Sequence, residues 1–113
     1  MIHNKTYFKR LPATFGAQAY NLANFHEHGV FTDASPIGIG NVAIRTILPS
    51  IFTSLQRIAN QSDPLKLAVN QISYKPFISL FNVTGATAFN PDVSGIVNYA
   101  AAVALEVRLG SRL

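Results

Sequence analysis

Three short stretches of this chain carry side chains able to do chemistry: His26-Glu27-His28, Gly38-Ile39-Gly40 and Tyr74-Lys75. Histidines at i and i+2 share a face only on an extended strand, and zinc needs at least a third protein ligand. His3 and Asp33 are the available donors, yet nothing in the spacing fixes either one beside the pair. The stretch reads as a solvated polar loop, with no metal expected. Two glycines ahead of a helix can aim backbone N–H groups at a phosphate. Here the full dinucleotide fingerprint is missing and no Gly-Lys-Ser or Gly-Lys-Thr follows, so a turn leading into a helix is the simpler reading. Tyr74 and Lys75 offer a proton donor and an anion-binding cation; the alternative buries the ring and lets the lysine extend into water. Asp63, Asp92 and Glu106 each stand alone, and no Ser or Thr sits in a recognisable nucleophile setting. No complete catalytic constellation is visible, and no cofactor is implied.

Those residues must be positioned by one small domain. The chain has 113 residues, 49% hydrophobic and only 12% charged, against a usual charged share of about 25%. So few charges leave apolar surface uncovered unless missing sequence or another chain packs on it. The chain therefore reads as a single domain over 1–113 or as the C-terminal fragment of a larger one. Net charge is +4, but the basic residues are scattered: Lys5, Lys9 and Arg10 cluster loosely, while Arg45, Arg57, Lys66, Lys75, Arg108 and Arg112 stand apart. A nucleic-acid binder concentrates its cations on one face, so such a partner is disfavoured. The absence of cysteine excludes disulfides and thiolate metal sites. No run is long and apolar enough to span a bilayer, and the first ten residues carry no secretory signal pattern. Three N-x-S/T sequons, at Asn4, Asn60 and Asn82, still lean towards a parent that passes through the secretory pathway.

Residues 1–40 hold Pro12, Gly16, Gly29, Pro36, Gly38 and Gly40 with no sustained period, and read as a loop-rich leader with a short helical turn near Ala17 to Phe25. The structured part is expected over 41–110. From Val42 the residues Ile44, Ile47, Leu48, Ile51, Phe52, Leu55 and Ile58 follow helical spacing. Pro49 either kinks that helix or starts a new one in its first turn. After the turn at Asn60 to Pro64, Lys66 to Ser73 predicts a strand. Pro76 opens a short helix filled by Phe77, Ile78, Leu80 and Phe81, with Gly85 placed to cap it. Val97 to Val107 alternates large apolar and small or polar residues, which predicts a strand, although its alanines favour helix. The expected fold class is α/β.

This order of helix, strand, helix and strand from Gly38 to Val107 resembles the C-terminal part of the histidine acid phosphatases, the branch that includes phytases. The matching segments are GIGNVAIRTILPSIFTSLQRIA, KLAVNQIS, PFISLFNVTG and NYAAAVALEV, with Glu106 at the family's acidic position. The resemblance implies a partial three-layer fold and a phosphorylated small molecule as substrate, hydrolysed through a phosphohistidine. The family's Arg-His-Gly motif does not occur, and Tyr74-Lys75 stands where the family has His-Asp. The implied reading is a C-terminal segment or divergent relative of a phosphomonoesterase, catalytically incomplete, with Lys75 left as an anion-binding residue. The alternative is a non-enzymatic basic subunit of a larger assembly such as a capsid or organellar complex.

Overall fold

The structure is a computed structural model that describes residues 4–108. It contains six α-helices: α1 (Lys5–Phe8), α2 (Phe15–Phe31), α3 (Val42–Arg45), α4 (Leu48–Ala59), α5 (Tyr74–Val83) and α6 (Ala86–Phe89). Two 3-10 turns, Ile39–Asn41 and Pro91–Ser94, lead into α3 and follow α6. Among the described residues there is no strand and no sheet, so the α/β class and the three-layer order expected from the sequence are replaced by an all-helical arrangement.

The reason lies in what a strand requires. Lys66 to Ser73 belongs to no regular element, and among the described residues no backbone group from Lys66 to Ile72 makes a hydrogen bond. The last segment is irregular as well, not helical, and it turns at its start. Ala101 N–H donates to the Asn98 carbonyl at 3.1 Å, closing a turn in which Ala100 takes φ +61°. Among the described residues the backbone of Ala102 to Arg108 makes no hydrogen bond. Alternation directs the chain to extend; only a ladder partner makes it a strand.

The leader also differs from expectation. Its core is the 17-residue helix α2, the longest element of the chain. Ala17, Ala19, Leu22 and Ala23 are good helix formers, and Gly16 and Gly29 fall in its first and last turns, where their cost is small. The segment from Val42 takes the second of the two courses open to it at Pro49 and is two helices. It stops after Arg45 and restarts at Leu48, with Pro49 in the first turn of α4, where a missing N–H costs nothing. α5 begins at Tyr74, with Pro76 in its first turn, and Gly85 follows it at φ +73°. That left-handed position is cheap only for glycine. Among the described residues no helix is long and apolar enough to cross a membrane.

The core is small and sits where α2, the Ile39–Asn41 turn, α3 and α5 meet. Ile44 and Ile78 are fully buried, and so are Asn41 and Ser79. Burying an isoleucine side chain contributes roughly 1.5–3 kcal/mol. Gly40 permits this close approach: a Cβ there would lie 2.0 Å from the Thr32 carbonyl oxygen. Around the core the chain spreads over 62 × 30 × 30 Å, with a radius of gyration of 18.6 Å. A compact domain of this length has about 13 Å.

Candidate functional site

The inward face of α2 is Ala23, Asn24, Glu27, His28 and Phe31, all partly buried and spaced at helical intervals. Three of the five are polar, and each reaches across to another element. Asn24 Oδ1 accepts from the Ile96 N–H at 2.9 Å. His28 Nδ1 lies 3.1 Å from the Ser94 carbonyl, which fixes the ring proton on that nitrogen. Glu27 Oε2 accepts from the Tyr74 hydroxyl at 2.9 Å, tying α2 to the first turn of α5.

Glu27 is the centre of a charged cluster that brings sequence-predicted residues together. His26 Nδ1 approaches its other oxygen at 3.1 Å. Lys75 places its ammonium 5.0 Å from the centroid of the Phe31 ring, a cation–π contact one turn beyond Glu27. The Tyr74 hydrogen bond, more than His26 and Lys75, holds the Glu27 carboxyl below its usual value, against desolvation, which raises it. The same bond, with desolvation, pushes the Tyr74 hydroxyl above its usual value of 10.0.

Those directions decide what the cluster can do. A carboxylate whose charged form is stabilised is a weaker base, and a tyrosine pushed upward is a weaker acid. Lys75 already faces an aromatic ring and a nearby carboxylate, so an incoming anion would have to compete with Glu27. The arrangement is a clamp between two helices. Within it the Glu27 carboxylate and the Tyr74 hydroxyl are each held away from proton exchange by the bond between them.

The other sequence-predicted residues lie apart. His26-Glu27-His28 is helical, so the two imidazoles point to different sides; His26 is exposed and His28 faces Ser94. Among the described residues no three His, Asp or Glu side chains gather as metal ligands. His3 lies outside the described residues. Asp33 accepts from the Ser35 N–H at 2.9 Å, and a Cβ on Gly38 would meet the Asp33 carboxyl, so Gly38 serves the turn's packing. Asp63 takes a forked contact from Arg57 at 2.9 and 3.2 Å and closes the end of α4. Glu106 is exposed and pairs with Arg108.

Of the sequons, Asn4 caps α1 through Oδ1 and is exposed; Asn60 is exposed in a turn with Ser62. Asn82 is different. Its Nδ2 donates to the Asp33 carbonyl at 2.8 Å and to Asn41 Oδ1 at 3.0 Å, so both amide hydrogens are engaged. The Asn41 amide donates in turn to the carbonyls of Asp33 and Ser35, at 3.1 and 3.0 Å. The Ser79 hydroxyl lies 2.8 Å from the Phe31 carbonyl. Sequence reading did not single out Asn24, Asn41 or Ser79. The signal for Asn24 was a polar stripe at helical spacing with Glu27 and His28; nothing comparable marked Asn41 or Ser79.

The outer face of α2 carries the apolar residues. Leu22 is 68% exposed and Phe25 79%, on the side opposite Glu27. A second apolar region is a groove of 1410 Å³ between α4, α5 and the extended segments 66–73 and 96–107, lined by Ile51, Leu55, Ile58, Phe77 and Leu80. No family model, curated protein or solved structure matches this chain.

Proposed function

We propose that the chain is a non-enzymatic subunit whose apolar surfaces and extended segments are completed by association within a larger assembly. The observation that carries this reading is area. The chain exposes 9100 Å², whereas a compact monomer of its mass exposes about 6,100 Å². The excess is apolar where it counts: the outer face of α2, the groove beside α4 and α5, and both extended segments. Helices normally bury their apolar stripe and wet their polar one; α2 does the reverse, which favours a partner on its outer side.

The phosphomonoesterase reading draws no support from its own residues. Tyr74 and Lys75 belong to the first turn of a helix, bound to Glu27 and stacked on Phe31. Solution scattering and dye binding on the purified chain test the proposal. Expected are self-association at micromolar concentration or, failing that, strong binding of an apolar dye. A monomer with a radius of gyration near 13 Å and no dye binding would overturn it. So would turnover of p-nitrophenyl phosphate that disappears in Lys75→Ala.

A further inference from the structure

We infer that residues 101–108 form an interface edge that pairs antiparallel with the same residues of a second copy of this chain. The inference rests on the subunit reading above and names its partner. Three observations meet at this segment. Among the described residues its backbone from Ala102 onward has no hydrogen-bond partner and belongs to no helix or turn, while its residues alternate as those of a strand do. Such an edge pairs with another strand wherever one fits. The segment also forms one wall of the 1410 Å³ groove, so a ribbon built on it would cover the apolar side chains of α4 and α5 beneath. Finally, the area excess of about 3,000 Å² per chain, roughly 6,000 Å² for a pair, is as much as the about 2,000–5,000 Å² or more that an obligate homodimer buries in total.

The sequence of the segment makes the second copy the fitting occupant. A two-fold interface must be complementary to itself. Antiparallel pairing centred on Ala104 sets Val103 opposite Leu105 and Ala101 opposite Val107, all on one face. Ala104 then meets Ala104 on the other face, where a larger residue would crowd, and Ala102 meets Glu106. No like charges face each other. Parallel in-register pairing would set Glu106 against Glu106 and Arg108 against Arg108, which disfavours it. The charges thus select a closed pair over an open stack.

Because the chain has no cysteine, one introduced thiol reports on this geometry without interference. Directly opposed residues lie about 4.5–5.5 Å apart at Cα, within disulfide reach. Ala104→Cys is expected to cross-link two full-length chains under mild oxidation. Ala101→Cys is not, since its two copies would sit about 20 Å apart along the ladder. The double variant V103D/L105D is expected to sediment as a monomer while its helical circular dichroism is unchanged. Equal cross-linking at 101 and 104, or an oligomer that survives V103D/L105D, would overturn the pairing and leave the subunit reading standing. A compact monomer without apolar dye binding would overturn both.

Discussion

The helical body and the extended segments solve the same problem in opposite ways. Where α2, α3 and α5 meet, polar groups are satisfied from within: among the described residues no buried side-chain nitrogen or oxygen lacks a partner. Asn41, Ser79 and Asn82 spend their donors on backbone carbonyls of the 31–41 connection, which lets that irregular stretch be buried without orphaned groups. Among the described residues the backbone of 66–72 and 102–108 is left to water or to a partner. One chain therefore holds a small finished core and two unfinished edges. The difference locates folding information in the body and association information in the edges.

The sharpest way to break that contrast is to delete apolar atoms on each side of it. Ile78→Ala removes a side chain with no exposure and is expected to cost about 2–5 kcal/mol, a large share of what so small a core supplies. Val69→Ala removes one that is 82% exposed and is expected to change stability by less than about 0.5 kcal/mol. Urea denaturation followed at 222 nm compares them. Equal losses would mean that the extended segment belongs to the core.

A second test exchanges the chemistry of the polar knot without changing its size. Asn82→Asp replaces two donated hydrogens with a carboxylate facing the Asp33 carbonyl and Asn41 Oδ1. Leaving buried acceptors opposed and unpaired is expected to cost about 1–3 kcal/mol. Asn60→Asp, in an exposed turn, is expected to be near neutral, although both changes remove a sequon. The urea midpoint reads the difference.

The α2–α5 clamp predicts a pH dependence of defined sign. The folded Glu27 carboxyl titrates below its usual value of 4.5, so the native state favours its charged form. Its contribution is complete above that value and is lost as pH falls through the lower folded value. Tyr74→Phe removes the hydrogen bond that is the main cause, and is expected to lower stability at pH 7. Asp63 is also held low, chiefly by Arg57, so the wild-type profile alone mixes the two groups. The difference between wild type and Tyr74→Phe isolates the clamp, and it should shrink on acidification below the usual carboxylate value.

How much of this was legible in the residues follows from what kind of force shaped each element. The stripe of Ile51, Leu55 and Ile58 announced α4, and Pro49 marked its first turn. Phe77, Ile78, Leu80 and Phe81 with Gly85 likewise announced α5 and its end. Both depend on local periodicity and on turn chemistry, which a sequence displays directly. α2 was read only as a short turn near Ala17 to Phe25, because its packed face is Asn24, Glu27 and His28, and a search for apolar period finds nothing there. The supposed strands failed for another reason: Val69 and Val103 report a preference for extension, while pairing depends on a second segment that local sequence does not name. The same limit hid the site, since Tyr74 and Glu27 are 47 residues apart.

The smallest expected effect bears on whether the C-terminal edge is coupled to the body at all. Ala100 holds φ +61° in the turn closed by Asn98 and Ala101, a conformation that costs a residue with a Cβ roughly 1–2 kcal/mol. Ala100→Gly relieves that strain but loses about 0.5–1 kcal/mol to the greater freedom of glycine in the unfolded chain. The net gain is expected to stay below about 1.5 kcal/mol and to remain local. Hydrogen exchange should slow at the Ala101 amide, whose acceptor is the Asn98 carbonyl, with no change at α5 amides. In a monomeric variant such as V103D/L105D, a rise in the melting temperature of the whole chain would show that the edge folds together with Ile44 and Ile78. In the wild-type chain the same rise is expected only at concentrations where two copies pair, because the turn then sets the register of a ladder rather than the direction of an unpaired arm.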